Sequence, residues 1–190
     1  NLTNEDEYDE TQTTETDGLD EGTTTFENLF PGQYDLSENF PETGNWNQSA
    51  IYCENDQRTN GVISNSHPLN VNAGETVNCY VGNYQDGQII VIKDVVKANG
   101  DPLEDTSEDE FDFEIQGVAS FPLTDGDSET YSVTPGTYDV TESLNENYDF
   151  GGCSAEYDGQ ETDDPINEQE TQGETVTLGS GDEVTVTCIN

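Results

Sequence analysis

Residues 89–97 read IIVIKDVVK, a short β-branched apolar run that holds both lysines of the chain. Runs of this length and composition are typical of strands rather than helices. Side chains of a strand point alternately to opposite faces. One face of this strand therefore carries four alternating residues: Ile89, Val91, Lys93 and Val95. Lys93 is thus predicted to face a core, although the chain has only three basic residues against 43 acidic ones.

Two other alternating runs also place a polar residue on an apolar face. In GTYDVTE, Glu142 shares a face with Tyr138 and Val140. In EVTVTCIN, Asn190 lies in the same phase as the apolar residues of the last predicted strand. Burying an unpaired lysine or glutamate is costly, so these polar positions predict a buried polar site.

The rest of the chain is made of similar short segments, separated by Gly, Pro, Asn and Asp, and no stretch shows a helical period. The sequence also repeats itself: 26–38 (FENLFPGQYDLSE) matches 131–142 (YSVTPGTYDVTE), and 72–83 (NAGETVNCYVGN) matches 179–190 (GSGDEVTVTCIN). We therefore predict an all-β chain with two tandem immunoglobulin-like β-sandwich domains, 1–84 and 85–190.

The first copy lacks its opening strand. The second copy opens with GQIIVIKDVV, whereas aligning the copies puts Asn1 opposite Asp105, past the position of that strand. A sandwich without this strand exposes backbone donors and apolar core, which favours strand addition from another chain. We expect a neighbouring subunit to supply the strand, and head-to-tail repetition to build a homopolymeric filament. The alternative is that upstream residues were removed, or that the domain closes with fewer strands.

The first copy nevertheless keeps part of the polar set. Glu38 and Asn83 occupy the places of Glu142 and Asn190, without a lysine in their own copy. The two copies therefore differ in whether a lysine accompanies the glutamate and the asparagine.

Charge dominates the composition. The formal net charge is -40 on 190 residues and the mean hydropathy is -0.82. Self-repulsion of this size destabilises a compact chain in dilute buffer, but at ~1 M salt the screening length falls to about 3 Å. We therefore predict a halophilic protein, with an ordinary acidic surface protein and an acidic disordered ion buffer as alternatives. Nucleic-acid binding is excluded because no basic patch exists to replace phosphate counterions.

The four cysteines suit an oxidising compartment and allow three pairings. The repeat favours one disulfide in each copy, Cys53–Cys79 and Cys153–Cys188. Two sequons, at Asn1 and Asn47, permit glycosylation.

These features together predict an extracellular location. No apolar run is long enough to span a bilayer, so no membrane insertion is expected in this segment. No signal peptide is recognisable either, so we interpret the sequence as a mature product or an excised segment.

The second copy resembles the prealbumin-like, Cna-B-type β-sandwich domains of prokaryotic surface and pilus proteins. The resemblance runs through IIVIKDVVKANGDPL, EFDFEIQG, PGTYDVTES and DEVTVTCIN, over about 87–190, and the first copy joins it only from FPGQYDLSE onward. In many such domains a Lys, a Glu and an Asn form an intramolecular isopeptide bond. The resemblance implies that Lys93 is the nucleophile, Asn190 the acyl acceptor and Glu142 the proton shuttle. The alternatives are a Lys93–Glu142 ion pair capped by Asn190, and a Lys93 that extends to the acidic surface.

No enzyme activity is predicted, because the chain has no nucleophile–base pair, phosphate-binding loop or cofactor motif. No cofactor and no metal are expected either. His67 lies in a loop, the cysteines lack a C-x-x-C pair, and the acidic clusters 4–10 and 104–110 do not match a calcium-binding loop.

The leading hypothesis is an extracellular structural protein, a subunit or segment of a cell-surface filament or pilus. The alternative is an adhesin or a ligand-binding accessory module of a larger secreted protein. The segment 38–52 is its best candidate surface, with Phe40, Trp46 and Tyr52, although core packing of the lone tryptophan is the simpler interpretation.

Overall fold

In the computed structural model the chain forms two compact units, Asn1–Tyr84 (unit 1) and Gln85–Asn190 (unit 2). The predicted all-β class is confirmed: the described residues contain strands and turns and no helix. Accordingly, no helix in this part of the chain is long and apolar enough to cross a membrane. The structure describes the following residues: 1–4, 9–13, 22–40, 44–54, 66–97, 108–157, 160–161 and 173–190.

Unit 2 is built from two sheets. Their strands are β7 (Gly87–Asp94), β8 (Phe111–Ile115), β9 (Ala119–Leu123), β10 (Ser128–Val133), β11 (Gly136–Glu142), β12 (Gly152–Tyr157), β13 (Gln160–Glu161), β14 (Gly173–Leu178) and β15 (Glu183–Ile189). One sheet has the order β10-β7-β15-β12-β13 and the other β14-β11-β8-β9. The pairing of β7 with β15 is parallel, and Lys93 lies opposite Cys188 in its register.

The alternation in β7 produces its buried face. Ile89, Val91, Lys93 and Val95 are all buried, which confirms the face predicted from the sequence. Val140 on β11 and the inward residues of β15 are buried in the same core. Because inward residues of both sheets interdigitate in a sandwich, polar residues in the same phase are carried inside with them.

Unit 1 has two smaller sheets. Its strands are β1 (Leu2–Thr3), β2 (Asp9–Glu10), β3 (Gly32–Ser37), β4 (Trp46–Cys53), β5 (Ser66–Val71) and β6 (Cys79–Gln85, whose last residue falls in unit 2). One sheet has the order β2-β1-β3-β5, and β4 pairs with β6 in the other. His67 lies on β5, where it pairs with Leu36, so its predicted loop position is wrong. Leu2, Tyr34 and Val71 form a small buried cluster in this unit, and Ile51 and Cys53 on β4 are buried as well.

Local contacts recur between the two units at the positions that the repeat aligns. The hydroxyl of Tyr34 donates to the carbonyl of Phe30 at 2.8 Å, and that of Tyr138 to the carbonyl of Thr134 at 2.6 Å. Both tyrosines thereby tie the start of a strand to the turn before it.

The turn before the last strand also recurs. Gly74 and Gly181 both adopt positive φ, 72° and 78°, a conformation that glycine adopts without steric cost. A carboxylate closes each turn: Glu75 accepts from the backbone of Asn72 at 2.9 Å, and Asp182 accepts from the backbone of Gly179 at 2.7 Å. The two units therefore enter their last strands through the same turn.

The strand orders show what unit 1 lacks. Its sheet β2-β1-β3-β5 corresponds to β9-β8-β11-β14, and its pair β4–β6 corresponds to β12–β15. Among the described residues of unit 1, β7 and β10 have no counterparts. Residues 24–29 align with β10 but lie outside strands, because the partner that β10 has in unit 2 is β7.

Candidate functional site

Lys93 ends inside the sandwich of unit 2. Its exposed fraction is 0%, which overturns the alternative that its side chain extends to the acidic surface. The Nζ atom donates to the backbone carbonyls of Asp94 at 2.9 Å and Cys188 at 3.2 Å. The ring of Phe111, on β8 in the opposite sheet, lies 4.5 Å from Nζ to its centroid. The amine is therefore held in place between the two sheets.

Glu142 and Asn190 meet at the same point. Glu142, the last residue of β11, is 2% exposed, and Asn190, which directly follows β15, is 8% exposed. Glu142 Oε2 lies 3.5 Å from Lys93 Nζ, and Asn190 Nδ2 donates to Glu142 Oε1 at 2.7 Å. Three strands from both sheets thus bring the three sequence-predicted residues together, with Glu142 between the other two.

The backbone of Asn190 is anchored on both sides. Its N–H donates to the carbonyl of Asp94 at 3.1 Å, and its carbonyl accepts from the N–H of Val96 at 2.8 Å. The parallel register of β7 and β15 extends through these bonds to the carboxamide. The position of the predicted acyl acceptor is therefore set by the strand that carries the lysine.

Two oxygen atoms of this cluster are buried and accept no hydrogen bond. Asn190 Oδ1 has no hydrogen-bond partner among the described residues, and Glu142 Oε2 has none there beyond its ion pair with Lys93 Nζ at 3.5 Å. A buried unsatisfied polar atom costs about 1–3 kcal/mol, and such atoms are uncommon in native structures. The cluster is therefore not a fully satisfied ion-pair network.

Burial changes the protonation of both ionisable groups. Loss of hydration lowers the pKa of Lys93, although Glu142 acts in the opposite direction. Loss of hydration likewise raises the pKa of Glu142, against the effects of Lys93 and Asn190. Both groups are thus shifted toward their neutral forms, an amine and a carboxylic acid. A neutral amine is a nucleophile and a neutral acid can donate a proton, so the arrangement suits acyl transfer at the Asn190 carboxamide.

The cysteines are joined within each unit. Disulfides connect Cys53 to Cys79 and Cys153 to Cys188, with sequence separations of 26 and 35. Each bond ties the last strand of its unit to a neighbouring strand. The bond at Cys188 also lies beside the buried cluster, because the carbonyl of Cys188 accepts from Lys93.

Unit 1 contains a second Glu–Asn contact. Asn83 Nδ2 donates to Glu38 Oε1 at 2.8 Å, close to the 2.7 Å of the Asn190–Glu142 contact. Glu38 Oε2, like Glu142 Oε2, is buried and has no hydrogen-bond partner in the described chain. Both units therefore contain a Glu–Asn hydrogen bond of this kind, and in unit 2 a lysine lies beside it.

Of the two sequon asparagines, Asn1 directly precedes β1 and Asn47 lies on β4. Asn1 is partly buried, and the N-terminal ammonium donates to the carbonyl of Ser37 at 2.7 Å. Asn47 on β4 is also partly buried, and its Nδ2 donates to the carbonyl of Asn45 at 3.2 Å. Glycosylation at either position stays a prediction.

An exposed aromatic surface escaped the sequence interpretation in part. Tyr52 and Tyr80 stack with 5.0 Å between ring centroids, and both are exposed. Trp46 is exposed as well, so the core packing suggested for it is wrong. The phase of Tyr52 could have indicated this, since it alternates with the buried Ile51 and Cys53.

The acidic clusters lie largely outside the described residues. In the part of the chain that is described, no group of three or more His, Cys, Asp and Glu side chains is arranged to hold a metal ion.

The chain is similar to solved surface proteins of bacteria. An adhesin from Mobiluncus mulieris, with intramolecular disulfide, isopeptide and ester bond cross-links, is 14% identical over 64% of this chain and 47% of its own, at a TM-score of 0.42. The T-13 major pilin of Streptococcus pyogenes is 14% identical over 88% of this chain and 70% of its own, at a TM-score of 0.30. The chain thus spans about half the length of the adhesin. No protein-family model and no curated protein matches the sequence.

Proposed function

We propose that this chain is an extracellular structural protein, a subunit or segment of a cell-surface filament or pilus, whose second unit cross-links itself. The observation that carries the proposal is the buried meeting of Lys93, Glu142 and Asn190. Three polar groups in a sandwich core destabilise it when their hydrogen bonds are incomplete. An amide bond between Lys93 and Asn190 removes the buried amine, and its formation explains why three polar residues occupy the core.

The reaction is an acyl transfer that balances without any co-reactant. The neutral Nζ of Lys93 attacks Cγ of Asn190, and a new amide bond forms between these two atoms. The bond from Cγ to the original amide nitrogen breaks, and this nitrogen leaves as ammonia. Glu142 faces Lys93 Nζ through Oε2 and the amide nitrogen of Asn190 through Oε1, so it takes up the proton lost by the amine and passes a proton to the leaving nitrogen. The reaction runs once per molecule, so the chain is not an enzyme acting on a substrate.

The position of this bond suits a protein under tension. Lys93 lies on the first strand of unit 2 and Asn190 directly follows the last. A covalent bond between them transmits a force applied at residues 85 and 190. Because the force passes through this bond, residues 94–189 are not extended. A filament subunit exposed to shear requires this property.

Intact mass spectrometry of the folded, oxidised chain tests the cross-link. We expect a mass lower by one ammonia, beyond the hydrogens lost to two disulfides. The Lys93→Ala variant should keep both disulfides and regain the ammonia. The full unmodified mass in well-folded wild-type protein would return the cluster to a buried ion pair and remove the support for the proposal.

We further propose that unit 1 is completed by a strand from a neighbouring subunit. Position 81 on β6 aligns with Cys188 on β15, yet Val81 is 40% exposed whereas Cys188 is fully buried. Asn83 is likewise exposed where Asn190 is buried. In unit 2 the strand aligned with β6, β15, is paired with β7 at these positions. Strand addition there satisfies the backbone of β6, and its head-to-tail repetition generates a filament.

Extracellular exposure in molar salt is part of the same proposal. The two disulfides require an oxidising environment, and the charge of -40 requires screening for a compact fold. These features support a halophilic source and a location outside the cell.

The exposed stack of Tyr52 and Tyr80 favours a second candidate function, ligand binding by an adhesin or an accessory module. Trp46, the single tryptophan of the chain, lies on β4 with Tyr52 and is the fluorescence probe for a titration. Titration with a panel of soluble oligosaccharides should give a saturable change that Tyr80→Ala abolishes if the surface binds sugars. A flat signal for every oligosaccharide would count against sugar binding.

A further inference from the structure

The turn between β9 and β10, residues 124–127, holds the backbone of Lys93. The N–H of Lys93 donates to the carbonyl of Asp127 at 3.0 Å, and the carbonyl of Lys93 accepts from the N–H of Gly126 at 2.9 Å. These bonds continue the antiparallel pairing of β10 with β7, which extends to Ile92 in its register. The turn therefore fixes the residue that carries the amine, on the side of β7 away from β15.

The two carboxylates of this turn have different contacts. Asp127 closes the turn itself, because its Oδ2 accepts from the N–H of Thr124 at 3.1 Å and from the hydroxyl of Thr124 at 2.5 Å. Asp125 points to β7 instead, and its Oδ1 accepts from the N–H of Val95 at 2.9 Å. Because β10 begins only at Ser128, the side chain of Asp125 supplies the acceptor that a further strand residue would supply.

Asn190 holds the same short segment from the other side. Its N–H donates to the carbonyl of Asp94, and its carbonyl accepts from the N–H of Val96. The residues that follow Lys93 are thus bound by the acyl acceptor on one side and by Asp125 on the other. A displacement of about 1 Å between reacting groups can slow a reaction by 10²-fold, so the position of this segment matters for the rate.

We propose that Asp125 is a positioning residue of the cross-linking reaction, which holds residues 93–95 in the register that presents Lys93 to Glu142 and Asn190. The inference rests on the cross-link proposed above and adds to it a residue that acts through the backbone of β7.

The charge of Asp125 has a second, opposite effect on the reaction. Burial lowers the pKa of Lys93, and the three carboxylates of Glu142, Asp94 and Asp125 act against this effect. A negative charge nearby favours the protonated amine, which is not a nucleophile. An asparagine at position 125 keeps an oxygen that can accept from Val95 but lacks the charge. Substitution can therefore separate the hydrogen bond of Asp125 from its charge.

A pH jump measures both effects. The full chain is produced in unfolded form, so that no cross-link exists, and is refolded with both disulfides in molar potassium chloride at acidic pH, where Lys93 is protonated. The rate of ammonia loss after transfer to a series of higher pH values is then followed by intact mass.

We expect Asp125→Asn to keep the maximal rate of the wild type and to reach half of that rate at a lower pH. Asp125→Ala should lower the maximal rate by about tenfold, as expected for loss of one hydrogen bond to a charged group. Glu129→Ala is the matched control, because it removes an exposed carboxylate from β10, and it should change neither value.

Circular dichroism before the jump shows that each variant is folded. A maximal rate in Asp125→Ala equal to that of the wild type would overturn the positioning role. Slower reaction in Asp125→Ala with an unmoved half-maximum in Asp125→Asn would reduce Asp125 to a structural residue of the turn. A folded wild-type chain that loses no ammonia at any pH would contradict the cross-link itself, whereas a reacting wild type with unaffected variants would contradict only the role of Asp125.

Discussion

At the scale of residues, burial favours the reaction that we propose for unit 2. Hydration stabilises the protonated form of a lysine, which is not a nucleophile. Water also competes for the hydrogen bonds between a carboxylic acid and an amide. Lys93 and Glu142 are hidden from water and lie 3.5 Å apart, so both are shifted toward neutral forms. The same two residues on a surface would form an ion pair that contributes little to the free energy of unfolding.

The pH dependence of an uncross-linked variant tests this burial. Asn190→Ala removes the acyl acceptor and leaves Lys93 as a free buried amine. Burial lowers its pKa from 10.5, so between the lowered value and 10.5 the unfolded chain binds more protons than the folded chain. Stability must then rise with pH toward 10.5, by about 1.4 kcal/mol for each unit by which the pKa is lowered.

The measurement is the guanidinium chloride midpoint between neutral pH and that value. Lys93→Met combined with Asn190→Ala is the matched control, because it lacks the titrating amine and should not show this rise. Parallel pH profiles for the two variants would mean that Lys93 titrates normally and that its burial has no electrostatic effect.

At the scale of strands, alternation and repetition explain which parts could be predicted. The strict two-residue period of a strand is enough to place Lys93, Glu142 and Asn190 on inward faces. It cannot show which atoms meet, because that depends on the pairing of β7 with β15 and on the packing of the two sheets. The position of 24–29 outside any strand could not be predicted either: these residues align with β10, which pairs with β7, and the described residues of unit 1 contain no counterpart of β7.

The two disulfides should differ in importance because their strands differ in support. The described sheet of β4 and β6 has only these two strands, whereas β15 is paired on both sides by β7 and β12. An isolated pair of strands is marginally stable. Removing Cys53–Cys79 with a double serine substitution should cost about 3–4 kcal/mol and open β6.

Amide hydrogen exchange measures this difference. We expect protection of β6 to collapse in the Cys53→Ser, Cys79→Ser variant. The matched variant, Cys153→Ser with Cys188→Ser, should keep β15 protected by its neighbours. Equal loss of protection in β6 and β15 would show that the strand pairing described for unit 1 is not its weak point.

At the scale of the whole molecule, charge sets the conditions for folding. A net charge of -40 repels itself at low ionic strength and is screened within about 3 Å at 1 M salt. Potassium chloride is the suitable salt, because sulfate strengthens burial by a separate mechanism. Between dilute buffer and molar potassium chloride the Tm should rise, with about 4–8 °C for each kcal/mol gained. A Tm that stays flat or falls would remove the halophilic interpretation.

The most direct test of the proposed function is a cryo-electron microscopy reconstruction of the native polymer. The account predicts a strand from the adjacent subunit that lies beside β6 and parallel to it. It also predicts continuous density between Lys93 and Asn190 within each subunit. A β6 edge that is empty, or that is covered by residues of the same polypeptide, would contradict assembly by strand donation.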